Sequence, residues 1–324
     1  MRFKGLDLNL LVALDAMLEE RNISRAAERL FLTQSAMSNA LARLREHFND
    51  KLLVQSGRTL ELTPRAQMLA GAVKDVLMRI DSTITTPPEF VPAESSRTFR
   101  LYVSEYTTEV LIPHLFRLCW NESHSIGFEL LPQVEDPDRM LVSGEADLLV
   151  FPTPYVDTVN PSEPLYTDDY VCVVWEGNHE IGEQLSIEQY LETPHVIVTR
   201  PNHQKTMFEG WFLERYGVAR NVGVITSNLA APCKLVIGTG RIATVHSRIA
   251  RRAAETLPIR LLPPPLDIPP IQQAMQWHEY RANDPGLQWL LEKMRQAAAL
   301  MDHTLQRPLL QQAASLGQIR QMMS

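Results

Sequence analysis

The residues with most to offer chemically stand close together near the start of the chain. Gln34, Ser35, Ser38 and Asn39 are amides and hydroxyls, and Arg43 and Arg45 follow them. Amides and hydroxyls hydrogen-bond base edges, whereas guanidinium groups hold phosphate oxygens. To act together, these side chains must share a helix. Met37, Leu41, Leu44 and Phe48 recur at i, i+4, i+7 and i+11, one stripe that packs on a core. Ser35, Asn39 and Ala42 then lie opposite, with Gln34 and Ser38 flanking them. Thr33 is the expected N-cap, its hydroxyl accepting from a free backbone N–H. Before it, Ser24 is the expected cap of a shorter helix that buries Ala26, Ala27 and Leu30. Phe31 and Leu32 make the turn. A helix that begins with polar side chains suits a DNA major groove, and its N-terminus favours a phosphate. The plainer alternative is a helical hairpin in any small helical domain.

The flanking elements favour DNA. Asp7–Asn22 reads as a preceding amphipathic helix, with Leu8, Leu11, Leu14 and Leu18 apolar. Leu52–Thr63 reads as a hairpin around Ser56, Gly57 and Arg58, which makes a wing. Pro64 opens a long helix to Asp81. That helix carries two apolar rows, Met68–Ala72–Val76–Ile80 and Leu69–Val73–Leu77. Both rows exceed what a short wing covers, so a second copy of the helix is expected on it. On this reading Gln34, Ser35, Ser38 and Asn39 meet base edges, and Thr33, Arg43, Arg58 and Arg65 hold phosphates.

The segment SRAAERLFLTQSAMSNALARLREHF, followed by a wing ending in LTPRA, resembles the winged helix of the LysR-type transcriptional regulators. The opening MRFKGLDLNLLVALDAMLEERN is similar to the NodD-like branch, which neighbours the NahR-like regulators. Most relatives have Pro where Ser35 stands. The resemblance implies a dimerising linker helix from Pro64, and DNA as the partner. It also implies a C-terminal effector domain of two α/β subdomains similar to periplasmic binding proteins.

The bulk properties fit a soluble globular protein. At 324 residues the chain exceeds one typical domain, and 45% hydrophobic with 21% charged residues is ordinary composition. No apolar run reaches about 18 residues, and the N-terminus lacks a secretory core, so the expected location is the cytoplasm, off the membrane. Cys119, Cys172 and Cys233 are odd in number and far apart, which favours reduced, buried thiols. The net charge of −7 looks wrong for a DNA binder. Residues 1–65, however, hold ten of the 31 Lys/Arg and eight of the 38 Asp/Glu, leaving 21 and 30 for the rest. The first segment is therefore +2 and the remainder −9. A module of +2 binds weakly, so useful affinity needs two or more copies, and binding falls as salt rises.

The expected domains are a winged helix-turn-helix at 1–63, a linker helix at 64–82 and a hinge at 83–97, rich in Pro, Thr and Ser. An effector domain at 98–304 follows, then an extension at 305–324. Strands and helices alternate after Phe99, which predicts mostly parallel sheets covered on both faces. The subdomains are 98–165 plus 270–304, and 166–269, with a cleft between them. Ligands in open α/β sheets sit outside the carboxyl ends of strands. Four strand ends therefore supply the effector candidates: Ser104, Glu105, Tyr106 and Thr107; Pro132 and Gln133; Thr199, Arg200, Asn202 and His203; and Trp277 and His278. Arg200 is the expected anion clamp. Each residue taken alone reads more readily as a cap, a turn or core filler, and only their shared location makes a set. Tyr and Trp among polar hooks fit a small aromatic ligand. The resemblance implies a flavonoid, phenolic or aromatic acid.

Catalytic patterns are absent: there is no GxSxG, GxxxxGK[ST], HExxH or CxxC. No cofactor is expected beyond a small-molecule inducer, and no metal. The function read is a sequence-specific DNA-binding regulator and activator, a homodimer or homotetramer, with RNA polymerase as a further partner. The alternative is a ligand-binding receptor, or a repressor without an activator role.

Overall fold

The computed structural model describes residues 6–57, 59–80, 82, 84, 89–131, 137–156, 159–199, 207–217 and 220–302. The first unit is helical. α1 (Asn9–Glu20) buries Leu10, Leu11, Leu14, Met17 and Leu18 and ends where Arg21 turns left-handed at φ 46°. α2 (Ile23–Arg29) is capped by Asn22, whose Oδ1 accepts from Arg25 N at 3.1 Å, rather than by Ser24. The abrupt end of α1 leaves Asn22 extended, so its Oδ1 reaches the Arg25 N–H in the first turn, and Ser24 lies inside the helix. Ala26 and Ala27 are buried in the joint with α3 (Gln34–Phe48). Thr33 caps α3, accepting from Ala36 N at 3.2 Å, and Met37, Ala40, Leu41 and Leu44 face the core.

The wing is β1 (Leu53–Ser56) antiparallel to β2 (Thr59–Leu62), with Gly57 at φ +62° in the turn, a conformation that suits glycine. Arg45 is not a DNA-facing cation here. Its guanidinium donates to the carbonyls of Lys51 (2.8 Å) and Leu53 (3.0 Å) and clips the wing to α3.

α4 (Pro64–Ile80) divides its two rows. Leu69, Val73 and Leu77 pack on the winged-helix core, so part of this face is covered within its own chain. Met68 and Val76 stay 67% and 45% exposed.

The rest of the described chain forms two five-stranded sheets. The first takes β3 (Thr98–Val103), then α5 (Glu105–Val110) and α6 (Ile112–Trp120), β4 (Gly127–Leu131), α7 (Pro137–Val142), β5 (Leu148–Pro152) and β6 (Ser162–Asp168). The second takes β7 (Tyr170–Trp175), α8 (Ile187–Glu192), β8 (His195–Val198), α9 (Met207–Tyr216), β9 (Val222–Thr226), α10 (Pro232–Leu235), β10 (Ile242–His246), α11 (Ser247–Ala254) and β11 (Ile259–Leu262). β12 (Ile271–Gln276) returns to the first sheet, and α12 (285–302) packs on it. The orders are β4-β3-β5-β12-β6 and β11-β7-β10-β8-β9.

Several expectations are corrected. The sheets are mixed: β12 runs antiparallel to β5 and β6, and β7 runs antiparallel to β10 and β11. β6 was not anticipated, and it carries the first sheet to Asp168, past the expected boundary at 165/166. Its interior Pro164 obscures the strand pattern and is tolerated because β6 is an edge strand. After β3 the chain forms two helices rather than one, α5 and α6, separated at Leu111, ahead of Pro113. α10 spans Pro232–Leu235 alone, because Ala230 and Ala231 are held in a turn by Asn228 Oδ1. The extension at 305–324 lies outside the described residues. Among the described residues no helix is long and apolar enough to cross a membrane.

The far end of α4 rests on connections of the first sheet, the turn after α7 and the turn Glu279–Arg281. Met78 is buried against the turn at Gly144, where φ +68° and the missing Cβ allow close approach. The Arg79 guanidinium lies 4.7 Å over the Tyr280 ring.

Truncating the stripe that seats α3 tests this packing. Leu44→Ala should lower unfolding stability by about 2–5 kcal/mol in chemical denaturation. Ser38→Ala, on the exposed face, should change it by less than about 0.5 kcal/mol.

Candidate functional site

The start of α3 is an open polar surface. Thr33, Gln34, Ser35, Ser38, Asn39, Arg43 and Arg65 are all exposed, and Arg58 lies outside the described residues. Thr33 is partly committed, since its Oγ1 accepts from Ala36 N and lies 3.0 Å from Ser35 Oγ. Arg43 bonds Asp7 Oδ2 at 2.8 Å, but the pair is solvent-facing, so little holds the guanidinium from another anion. A groove between the α1–α2 junction and the wing brings Arg25, Thr59 and Leu60 beside Gln34, residues that the sequence pattern did not single out, together with Glu19, Glu20 and Glu61. Arg25 is exposed and pairs with Glu20 at 3.1 Å.

A second site lies between the two sheets, a cavity of about 550 Å³. Ser104, Glu105, Tyr106 and Thr199 line it as expected. Ser104 caps α5, accepting from Thr107 N at 3.0 Å. Thr107 itself is fully buried behind the wall, 3.2 Å from the Tyr166 hydroxyl. Gln133, Arg200, Asn202 and His203 lie outside the described residues, as does Pro132.

Trp277 and His278 are not at the cleft. Because β12 runs antiparallel to β5, its beginning faces the cavity and its end points away. Ile271 and Gln273 line the wall, whereas Trp277 joins the core and His278 caps the turn Glu279–Arg281. The same reversal in β7 brings Tyr170 to the cavity. Thr244 and His246, from the parallel β10, also line it, and these were missed. His246 does end a strand, a signal that the sequence offered.

The cavity floor is a buried polar network. Tyr106 donates to Asp168 Oδ2 at 2.6 Å, and Ser247 Oγ donates to Asp168 Oδ1 at 2.6 Å. Burial pushes the Tyr106 hydroxyl far above the usual phenol range, so it remains a donor. The His246 ring lies 4.4 Å from Tyr106 and 4.8 Å from Tyr170, and burial drives its pKa down to about 4. Across the cleft, Glu105 Oε2 accepts from Leu229 N at 3.2 Å. Glu209 is ion-paired with Arg220, which also donates to Thr244 Oγ1 and the Tyr190 hydroxyl, each at 3.1 Å. His195 completes this cluster with Nδ1 3.0 Å from Arg220 and Nε2 2.6 Å from the Tyr190 carbonyl. Burial first, and the Arg220 charge second, lower its pKa to about 3. Among the described residues no group of His, Cys, Asp and Glu could hold a metal ion.

Comparison with known proteins bears on both sites. Residues 8–67 match the bacterial regulatory helix-turn-helix protein family, lysR family, and residues 92–299 match the LysR substrate binding domain. The chain is 38% identical to nodulation protein D 2 of Rhizobium tropici over 301 residues, 93% of this chain and 96% of that protein. It is 39% identical to nodulation protein D 1 of Mesorhizobium japonicum over 301 residues, with the same coverage. Among solved structures, a probable transcriptional regulator from Pseudomonas aeruginosa is 28% identical, with a TM-score of 0.60, covering 90% of this chain and 97% of that one. A full-length OxyR variant from the same organism shares the fold at 17% identity and a TM-score of 0.66, covering 91% of this chain and 95% of its own.

The two neutral histidines give a pH dependence. Their folded pKa values are depressed, so between pH 6.5 and about 4 the unfolded chain binds protons that the native chain refuses. Stability is therefore fully present above pH 6.5 and is lost as pH falls toward 4 for His246 and 3 for His195. The limiting slope is about 1.4 kcal/mol per pH unit for each histidine. Urea unfolding at pH 7.5, 6.5 and 5.5 (about a unit apart) should show a falling midpoint below 6.5; a flat profile would contradict it.

Proposed function

The chain belongs to the lysR family of bacterial regulatory helix-turn-helix proteins, a DNA-binding transcriptional regulator and not an enzyme, and from that premise we propose that it activates transcription in response to a small aromatic molecule held between its two sheets. The observation that carries this reading is the coexistence of an uncovered polar face at the start of α3 with a largely apolar cavity rimmed by hydroxyls and rings. Gln34, Ser35, Ser38 and Asn39 supply base contacts, and Arg43 and Arg65 hold phosphates.

The exposed Met68 and Val76 row of α4 supports a dimer in which a second α4 covers it. Two winged helices then read two half-sites, with spacing set by the symmetry of the pair. A homotetramer doubles that arrangement. Activation requires contact with RNA polymerase, and the working location is the cytoplasm. No cofactor is needed beyond the effector. Linkage requires that effector and DNA alter each other's affinity by the same factor.

Two measurements test the two halves. Ser38→Glu should abolish operator footprints without changing the oligomer seen by light scattering; an intact footprint would remove α3 from the groove. Wild-type protein should melt higher in the presence of an aromatic effector, by a shift that grows with its concentration. A panel of phenols and aromatic acids giving no shift would contradict an aromatic effector.

A further inference from the structure

Phe31 stands in the turn between α2 and α3 and is 97% exposed, more than any other large apolar residue among the described residues. Its backbone is left-handed, at φ 54°. The turn requires that conformation. Phe31 N donates to Glu28 O at 3.1 Å and Leu32 N to Ala27 O at 2.9 Å, which ends α2 and turns the chain into α3. Glycine or asparagine enters the left-handed region at little cost, whereas a bulky residue there is strained. Leu52 shows the ordinary compensation: it is also left-handed, at φ 59°, but it is fully buried in the winged-helix core, and packing holds it. Phe31 gains almost nothing from packing. Folding alone therefore disfavours a phenyl ring here twice, through its backbone and through its contact with water.

What the ring meets follows from where it stands. Residues 31–36 are an unbroken exposed run, which begins with Phe31 and leads into the polar face of α3. Phe31 lies two residues before the Thr33 cap and three before Gln34. Three residues span at most about 11 Å, and the major groove is about 12 Å wide. A surface that enters the groove at Gln34 therefore carries Phe31 to the same few base pairs. There the apolar feature that tells one base from another is the C5 methyl of thymine.

Resting on the assignment of α3 to the groove, we propose that Phe31 is a specificity-determining DNA contact, which packs on the methyl of a thymine at the edge of the site that Gln34 reads. The contact favours thymine over cytosine, which has no C5 methyl, and the amides and hydroxyls of α3 do not duplicate it. It also takes the ring out of water, which the fold by itself does not do. Because the ring is uncharged, it displaces no counterions, so its share of the affinity does not fall as salt rises.

The test uses the full-length protein and the duplex that wild type selects from a random-sequence library. Each thymine of that duplex is replaced in turn by deoxyuridine, which removes the methyl and keeps the base pair, and affinity is read by fluorescence anisotropy. For wild type at least one replacement should weaken binding by about threefold or more, the worth of one buried methyl. Phe31→Gly and Phe31→Asn, which both accept the left-handed backbone, should no longer distinguish that thymine from deoxyuridine, whereas Phe31→Tyr should. Both should bind the thymine duplex about threefold or more weakly than wild type, with an unchanged dependence on salt. Phe31→Asn should melt at or above the wild-type temperature, because the strain is relieved. A wild type indifferent to every methyl, or a methyl preference that persists in both variants, would overturn the proposal. So would a Phe31→Asn protein that melts well below wild type, since that marks Phe31 as a packing residue. Variants that bind DNA as wild type does but fail to activate transcription in vitro overturn it in favour of a polymerase contact. These outcomes overturn this inference alone; a wild type that selects no sequence overturns it together with the assignment of α3.

Discussion

A carboxylate taken out of water is tolerable only if hydrogen bonds and charge replace what it loses, and Asp168 is 4% exposed. Its two oxygens gather the Tyr106 hydroxyl from α5, the Ser247 hydroxyl and the Arg248 backbone N–H from the start of α11, and its own neighbour's N–H from Asp169. Arg248 Nε lies 3.9 Å away. Asp168 is the last residue of β6, where the chain leaves one sheet for the other. Satisfying this one group therefore fixes how the two sheets meet, and with them the floor of the cavity. Tyr106 cannot leave its place without unpairing Asp168. The ring of His246 is thereby held beside Tyr106, with Tyr170 on its other contact.

The same sheet reaches the DNA-reading unit through β12. Its first residues line the cavity, and beyond its last residues comes the turn that carries Tyr280 under Arg79 of α4. Met78, on the neighbouring position of α4, is buried at Gly144, just before β5 begins. β5 ends at Pro152 on the cavity wall. Two adjacent, antiparallel strands therefore span the distance from the cleft to the base of the long helix. That helix in turn is fastened to the winged helix through Leu69, Val73 and Leu77. A change at one end has rigid elements along which to act, and the reciprocity of linked binding follows from thermodynamics whatever the route.

The DNA-binding unit was almost wholly legible in the chain. Its signals are local: the i, i+4, i+7, i+11 stripe of α3, the Thr33 cap and the Ser56-Gly57 turn each depend on residues a few positions apart. Where that reading slipped, at Asn22 for Ser24 and at Arg45, the deciding contact was with a neighbouring element: the end of α1 in one case and the wing carbonyls in the other. The belonging to the lysR family was legible for the same reason, since its signature is a run of consecutive residues.

The cleft was legible only in part. The sequence by itself determined which segments become strands and helices in most of the second half, and that Ser104, Glu105, Tyr106 and Thr199 lie just past the ends of strands. Strand direction was not determined, because hydrophobic patterning is the same whether a strand runs up or down. Tertiary structure decided it. By reversing β7 and β12 it put Tyr170, Ile271 and Gln273 on the cavity and withdrew Trp277 and His278 from it. Pairing partners far apart in the chain set that direction, as Gln273 against Pro152 and Thr244 against Cys172 do, and no short window of residues contains them.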